Sequence, residues 1–413
     1  MKVLFLSVAD LKSINQHGIY PDVLREFMKN NHEIYIVCPN ERRTGKKTEL
    51  INEKKSYLLR VRTGNITKSN LIEKGISTLI INSQYKRAVK KFFPTIKFDL
   101  IIYSTPPITL ESVIKYEKKK NAAKTYLLLK DIFPQNAVDL GIINKNGLKG
   151  IIYKYFRRKE KELYKISDYI GCMSQANVDY LIKNNSFLDR KKIGICPNSI
   201  EVINRENLSI DKNFLREKYG IPLDKLVFVY GGNLGKPQGI DFIMKCLEQK
   251  KKNEKVFFLI VGDGTEYNRL NSFLELKKID NAKLIKKLPK EDYELMIQAC
   301  DVGMIFLDYR FTIPNFPSRI LSYMDAEIPV FACTDKNSDI GSVIVSGKFG
   351  WWCESNNIDS FNIQMQRILN GDIKEKGKNG KMFLLENYTA AKAYNQIMNT
   401  INNQRNSSER VKK

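Results

Sequence analysis

The sequence predicts an α/β protein of two doubly wound, parallel-sheet domains. Three observations carry that prediction. Short apolar runs such as Lys2–Val8 (KVLFLSV) and Lys255–Gly264 (KVFFLIVGDG) read as strands buried on both faces, which is the habit of parallel sheets. The runs alternate with helical patterns, as right-handed strand–helix–strand crossovers require. A polar, charged stretch from Pro197-Asn198-Ser199 to about Asp224 interrupts the alternation, which then starts again, and 413 residues are enough for two domains of ordinary size. The expected boundaries are 1–200, 201–387, and 388–413 for a C-terminal helix that crosses back to the first domain and ends in a basic tail.

In the first half, KVLFLSV opens the sheet. A polar loop through Gly18 leads to a helix with Val23, Leu24, Phe27 and Met28 at core spacing, ended by Asn30-Asn31-His32. EIYIVCP (33–39) is the second strand, and His32 at its start reads as structural. The segment after it is expected to be irregular as far as SYLLRV (56–61), the third strand. Ile72–Phe93 reads as a helix that finishes in the basic, aromatic run Lys86–Phe93. FDLIIYS (98–104) and KTYLLLKD (124–131) follow as buried strands around a helix expected over Pro107–Lys120. Gly147–Ile166 is the next helix, and SDYIGCMS (167–174) and KKIGICPNSI (191–200) are the last strands of this half.

The second half repeats the alternation. Its strands are LVFVYGG (226–232), KVFFLIVGDG, AKLIKKL (282–288), DVGMIFL (301–307) and IPVFAC (328–333). The helices between them are expected at Asp241–Lys251, Glu266–Lys278, Glu291–Ala299 and Ser318–Ala326. MFLLENYTAAKAYNQIMNTI (382–401) reads as helical, and Asn402–Lys413 as a disordered tail.

Composition narrows the class. No apolar stretch reaches the ~20 residues needed to span a bilayer, and Asp10 interrupts the first apolar run too early for a signal peptide. The expectation is a cytoplasmic protein whose membrane contact, if any, is peripheral. The seven Cys form no C-x-x-C pair and mostly sit in apolar contexts such as IYIVCP and IPVFAC, as buried, reduced thiols do. With only His17 and His32 available, no metal site is expected. The formal charge of +24 calls for an anionic partner: nucleic acid, anionic lipid or sugar nucleotide. Nucleic acid is disfavoured, because there is no recognition helix, aromatic ribonucleoprotein motif or zinc motif. The helix over 147–166 interleaves Ile, Tyr and Phe with dense Lys and Arg. It suits either an anionic membrane surface or an ordinary surface helix with one core stripe.

The stretch around which the second half is organised is Val227–Ile240 (VFVYGGNLGKPQGI). A strand, a glycine turn and a helix start form an anion site when glycines let the backbone approach a phosphate and free N–H groups point at it. The spacing is neither a dinucleotide fingerprint nor a P-loop, so a plain strand-to-helix turn is the alternative. Other marked turns, Gly262-Asp263-Gly264, Leu288-Pro289 and Ile313–Arg319 (IPNFPSR), fall at strand ends of the same half. Topology is expected to place them on one sheet edge, facing a cleft between the domains. Pro317-Ser318-Arg319 opens a helix, so its N–H groups, the Arg319 guanidinium and Lys236 would form a diphosphate clamp. Asp131, at the end of KTYLLLKD, is placed either for chemistry or as a helix-capping or turn residue.

The segments DIFPQNAVDLGII (131–143), SDYIGCMSQANVDYL (167–181), ICPNSIE (195–201), VYGGNLGKPQGID (229–241), VGDGTEYNRL (261–270), LPKEDYELMIQACDVGMIFL (288–307) and NFPSRILSYMDAEIPVFA (315–332) occur in a telling order and spacing. With them the chain resembles the retaining glycosyltransferases of family 4, and among these the bacterial transferases of capsule and O-antigen assembly. The resemblance implies a GT-B fold of two Rossmann-like domains. It implies a nucleotide-diphosphate sugar donor, a UDP-sugar carrying a hexosyl or N-acetylhexosaminyl group, held mainly by the second domain. It also implies a lipid-linked saccharide acceptor held mainly by the first, at the inner face of the plasma membrane, with no metal or other cofactor. Donor contacts would come from Gly232, Asn233, Gln238, Gly239, Gly264, Asn315, Phe316, Pro317, Ser318 and Ser322, with Leu288 near the base and His17 and Gly18 on the acceptor side. Arg319 and Lys236 would neutralise the leaving diphosphate, an electrostatic task, and Asp131 would position the acceptor hydroxyl or the donor sugar.

The chain departs from the family pattern in places. Pro314 and Ser322 stand where many relatives carry a pair of Glu, and a neutral hydroxyl holds a ribose less strongly than a carboxylate. Asn233 and Gln238 stand where Arg and Lys are frequent, and Glu327 where Gly is common. A sugar-nucleotide 2-epimerase of the same fold is the alternative reading, and a basic nucleic-acid-binding protein a more distant one.

Overall fold

The strands lie on the apolar runs expected to form them, except Glu49–Glu53 and Gly350–Glu354, which are not among those runs. The computed structural model describes residues 1–66, 71–203 and 211–410. The chain divides into two units, Met1–Glu201 with Thr389–Lys413, and Val202–Tyr388. The first unit runs β1 (Lys2–Leu6), α1 (Pro21–Lys29), β2 (Glu33–Glu41), β3 (Glu49–Glu53), β4 (Ser56–Thr63), α2 (Leu71–Phe92), β5 (Leu100–Ser104) and α3 (Glu111–Asn121). It continues with β6 (Lys124–Leu129), α4 (Gln135–Asp139), α5 (Gly147–Ile166), β7 (Tyr169–Cys172), α6 (Gln175–Asn184) and β8 (Ile193–Ile195). Its sheet has the order β3-β4-β2-β1-β5-β6-β7-β8 and is parallel except for the β3–β4 hairpin.

β3 corrects the expectation of an irregular segment after β2. Its sequence, ELINE, carries little apolar signal because it is an edge strand and stays partly exposed. α3 starts at Glu111 rather than Pro107: Pro106 and Pro107 have no N–H to donate, and the chain bends at 105, 106 and 108 before the helix begins. His32 is structural: its ring nitrogens lie 3.2 Å from the Met1 amine and 3.1 Å from the Tyr394 hydroxyl.

The second unit runs α7 (Lys212–Tyr219), β9 (Leu226–Asn233), α8 (Ile240–Lys250), β10 (Val256–Asp263), α9 (Tyr267–Lys277), β11 (Ala282–Ile285), α10 (Lys290–Met296) and β12 (Val302–Phe306). There follow α11 (Arg319–Asp325), β13 (Val330–Thr334), α12 (Ile340–Ser346), β14 (Gly350–Glu354), α13 (Ile358–Leu369) and α14 (Ile373–Asn387). The order β11-β10-β9-β12-β13-β14 is parallel throughout. α7 falls in the stretch expected to be a linker, of which 204–210 lie outside the described residues. Asp211 caps the helix through the N–H groups of Asn213 and Phe214. Arg216 pins it down by bonding the Ala299 carbonyl and pairing with Asp301 at 2.7 Å.

The last helix, α15 (Ala390–Arg410), belongs to the first unit. Ala390, Ala393, Ile397 and Ile401 complete a core with Phe5, Leu24, Phe27 and Ile34. The helical run expected over 382–401 is therefore broken at Tyr388-Thr389, where Thr389 bridges Ile200 and the Ala390 N–H bonds the Ile200 carbonyl at 2.8 Å. The tail expected to be disordered from Asn402 is helical as far as Arg410, and 411–413 lie outside the described residues. All seven Cys are buried free thiols. Among the described residues, no helix is long and apolar enough to cross a membrane.

Candidate active site

The glycine turn is built by strand pairing. β9 stays in register with β10 beyond its apolar core, pairing Gly231 with Val261, Gly232 with Gly262 and Asn233 with Asp263. Gly232 has φ +140°, a conformation side chains rarely adopt. Just beyond, the Leu234 N–H bonds the Asp263 carbonyl at 3.0 Å. Gly264 lies so close over Leu234 that a Cβ there would sit 2.2 Å from the Leu234 carbonyl oxygen. A 3-10 turn, Lys236–Gln238, then hands the chain to α8 through Gly239 at φ +61°. Gln238 is buried and braces this loop from within, its Oε1 accepting from Asn233 Nδ2 at 3.0 Å and from the Gly235 N–H at 3.2 Å. Lys236 is exposed and has no ion pair among the described residues.

Arg319 opens α11 and reaches beneath this turn. Its Cζ lies 4.4 Å from the centre of the Tyr230 ring, a cation–π contact. A Cβ at Gly232 would lie 3.0 Å from the same Cζ. Nη1 of Arg319 is buried and has no hydrogen-bond partner among the described residues. Two more tyrosines shape the surroundings. Tyr323, one helical turn after Arg319, donates to the Met304 carbonyl at 3.1 Å and accepts from the Gly231 N–H at 3.2 Å. Tyr293 packs over Gly231, where a Cβ would lie 1.9 Å from its hydroxyl. Burial pushes the Tyr323 hydroxyl up to about 12, against the lowering effect of the Arg319 cation, and raises Tyr230 in the same way. The phenols therefore stay neutral, and no carboxylate among the described residues pairs with Arg319. A cation with an unmade hydrogen bond, held under an exposed glycine turn at the carboxyl edge of a parallel sheet, is suited to receive an anion.

The other expected residues take varied places. Asn315 is anchored by its N–H to Ser338 Oγ at 2.8 Å. Phe316 is buried, its ring 5.9 Å from that of Tyr388. Pro317 is half-buried, Ser318 exposed, and Ser322 half-buried within α11. Leu288 is half-buried in the loop between β11 and α10. In the first unit, both Asp131 oxygens accept from Asn136 Nδ2 at 2.9 Å, so this carboxylate braces the turn after β6. His17 Nδ1 lies 2.9 Å from the buried carboxylate of Asp22, which also accepts the Gly18 N–H at 2.8 Å and Arg25 Nη2 at 2.7 Å. Desolvation works to raise the Asp22 carboxyl, but the His17 bond and the N–H groups of Glu201 and Gly18 hold it below the ordinary range. Among the described residues, no group of three or more His, Cys, Asp or Glu could hold a metal ion.

The structure thus brings Gly231–Gly239, Gly264 and Arg319 into one neighbourhood. Sequence reasoning missed the tyrosines and Asp22. A signal did exist for two of them: Tyr230 precedes the Gly231-Gly232 pair, and Tyr323 follows Arg319 by four positions, on the same helix face.

Residues 211–410 match the family model of the group 1 glycosyl transferases. WbjE of Pseudomonas aeruginosa, named a probable glycosyltransferase, is 25% identical over 328 residues, covering 78% of each chain. Among solved structures, Anabaena HepE in complex with UDP-glucose has a TM-score of 0.67 at 14% identity, covering 98% of this chain and 100% of that one. WaaG, described as a glycosyltransferase involved in lipopolysaccharide biosynthesis, has a TM-score of 0.66 at 11% identity, covering 96% of this chain and 98% of that one. The chain has the GT-B fold, and its second half, residues 211–410, is similar to the group 1 glycosyl transferases.

Proposed function

We propose that the protein is a retaining glycosyltransferase that moves a hexosyl or N-acetylhexosaminyl group from a UDP-sugar to a lipid-linked saccharide in cell-surface polysaccharide synthesis. The observation that carries this reading is Arg319, a cation with an unpartnered, buried Nη1 beneath the Gly231-Gly232 turn. As the bond from the anomeric carbon to the diphosphate oxygen breaks, charge develops on the leaving group. Arg319, with Lys236 from the glycine loop after β9, offsets that charge, and the acceptor hydroxyl bonds the anomeric carbon while its proton passes to the departing diphosphate. The donor is held by the second unit, and Asp131, His17 and Gly18 belong to the acceptor side in the first. No metal or other cofactor takes part in this scheme. The donor class is supported by the UDP-glucose complex of HepE, and the acceptor class by the lipopolysaccharide role in the description of WaaG.

Membrane docking at the cytoplasmic face is supported by α5. Leu163 and Tyr164 on this helix are buried, while Ile151 and Ile152 are exposed beside Lys154, Arg158 and Lys161. A basic helix with apolar residues facing outward suits anionic lipid headgroups.

The test is a panel of UDP-glucose, UDP-galactose, UDP-N-acetylglucosamine and UDP-N-acetylgalactosamine. A true donor raises apparent stability by about 2.7 kcal/mol at a hundredfold excess over Kd. With a lipid-linked saccharide it yields a glycoside of the donor's own anomeric configuration, read by proton NMR. If no nucleotide sugar stabilises the protein, or if the only product is an epimerised nucleotide sugar, the proposal fails.

A further inference from the structure

A pocket of about 240 Å³ lies in the second unit, bordered by Gly239 where the Lys236–Gln238 turn ends. It is bounded by the first turn of α8 and by the loops that follow β12 and β14. We propose that it is a binding site for a neutral saccharide, taking one pyranose unit.

Three features point to that chemistry. The first is an unmade hydrogen bond. Ser355 is only 2% exposed and lines the pocket, and its Oγ has no partner among the described residues. A buried hydroxyl without a partner calls for a bound group that supplies one. The second is charge balance. Asp308, Asp241, Arg310 and Lys245 all line the pocket, and Asp241 also pairs with Arg269, so the lining mixes carboxylates with cations rather than presenting one sign of charge. Asp308 is itself buried and grips Arg310 through Nε at 2.9 Å and Nη2 at 2.7 Å, which fixes acceptors and donors side by side. Sugar hydroxyls both donate and accept, and such a mixed, rigid lining meets both needs. The third is Tyr309, 48% exposed at the pocket, whose ring offers an apolar face for the C–H side of a pyranose.

The pocket is also wired to the turn above Arg319. The Asp308 N–H bonds the Pro237 carbonyl at 2.9 Å, and a Cβ at Gly239 would lie 3.3 Å from the Asp308 Cα. A saccharide that steadies Asp308 and Arg310 therefore steadies the Lys236–Gly239 loop. Gly239 borders both this pocket and the expected donor loop, but no other lining residue is shared, and the saccharide site does not depend on the donor reading.

The experiment is saturation-transfer-difference NMR on the full chain with the methyl glycosides of glucose, galactose, N-acetylglucosamine and N-acetylgalactosamine. Each is recorded with and without saturating UDP. At least one glycoside is expected to receive saturation, to keep it in the presence of UDP, and to bind at least fivefold more weakly to Tyr309→Ala and to Ser355→Ala. Thermal melts of both variants confirm that they fold. Arg319→Ala should bind the glycoside as the parent does. The proposal is overturned if no glycoside is recognised, if UDP displaces it, if both variants bind normally, or if inorganic phosphate competes for the site.

Discussion

Replacing Arg319 with Ala separates a binding role from a structural one, because the two energies differ in sign and size. Two terms enter the stability. Losing the contact at 4.4 Å with the Tyr230 ring costs ~0.5–2 kcal/mol. Removing a buried donor that has no partner in the free protein returns a penalty of ~1–3 kcal/mol. The terms nearly cancel, so Arg319→Ala should melt and unfold in urea within about 1 kcal/mol of the parent. Turnover has no such compensation. Removing one preorganised donor to a developing oxyanion costs ~100- to 1000-fold, or ~2.7–4 kcal/mol. The assay is UDP release from the identified donor with acceptor present, alongside the urea titration. Arg319→Lys, which keeps the charge but loses the planar fork, should fall between the two. Turnover within threefold of the parent would remove Arg319 from the mechanism. A collapse in stability beyond ~3 kcal/mol would recast it as a strut, since only a broken buried network costs so much.

Gly303→Ala would place a Cβ 2.3 Å from the Tyr323 ring, an overpacking that costs ~1–3 kcal/mol and should lower the urea midpoint without changing the slope. Asp22 is held below the ordinary Asp value of about 3.9, so its contribution to stability is complete above that value and is lost as pH falls through and below it. The stability gap between the parent and Asp22→Asn should accordingly be constant near neutrality and shrink on acidification; a gap that widens in acid would refute the assignment. Ile151→Ser with Ile152→Ser, or Lys154→Glu with Lys161→Glu, should release the protein from vesicles of anionic lipid at low salt while melting stays unchanged. Retention equal to the parent in both pairs would leave α5 a solvated surface helix.

The parallel strands were legible because a strand buried on both faces must be apolar along its whole length, as in KVLFLSV and VFFLIV. The glycine turn was legible for a related reason, since backbone packed on backbone excludes every side chain. Edges were not legible. β3 reads ELINE because half of it meets water, and α7 lay hidden in a charged stretch because its anchor is an arginine, Arg216, rather than an apolar stripe. The break at Tyr388-Thr389 depends on pairing with Ile200, a partner far away in sequence, and no local propensity announces it. The same holds for the site. Tyr230, Tyr293 and Tyr323 come from three separate elements, and only folding gathers them around Arg319.

The return of α15 to the first unit bears on synthesis at the ribosome. Residues up to Glu201 emerge early, yet the apolar face that receives Ala393, Ile397 and Ile401 waits until the whole of Val202–Tyr388 has been made. At ~5–20 residues per second, the wait is on the order of ten seconds or more. During that interval Phe27 and its neighbours lack their cover, so the nascent first unit is a natural client for a chaperone while the second unit folds.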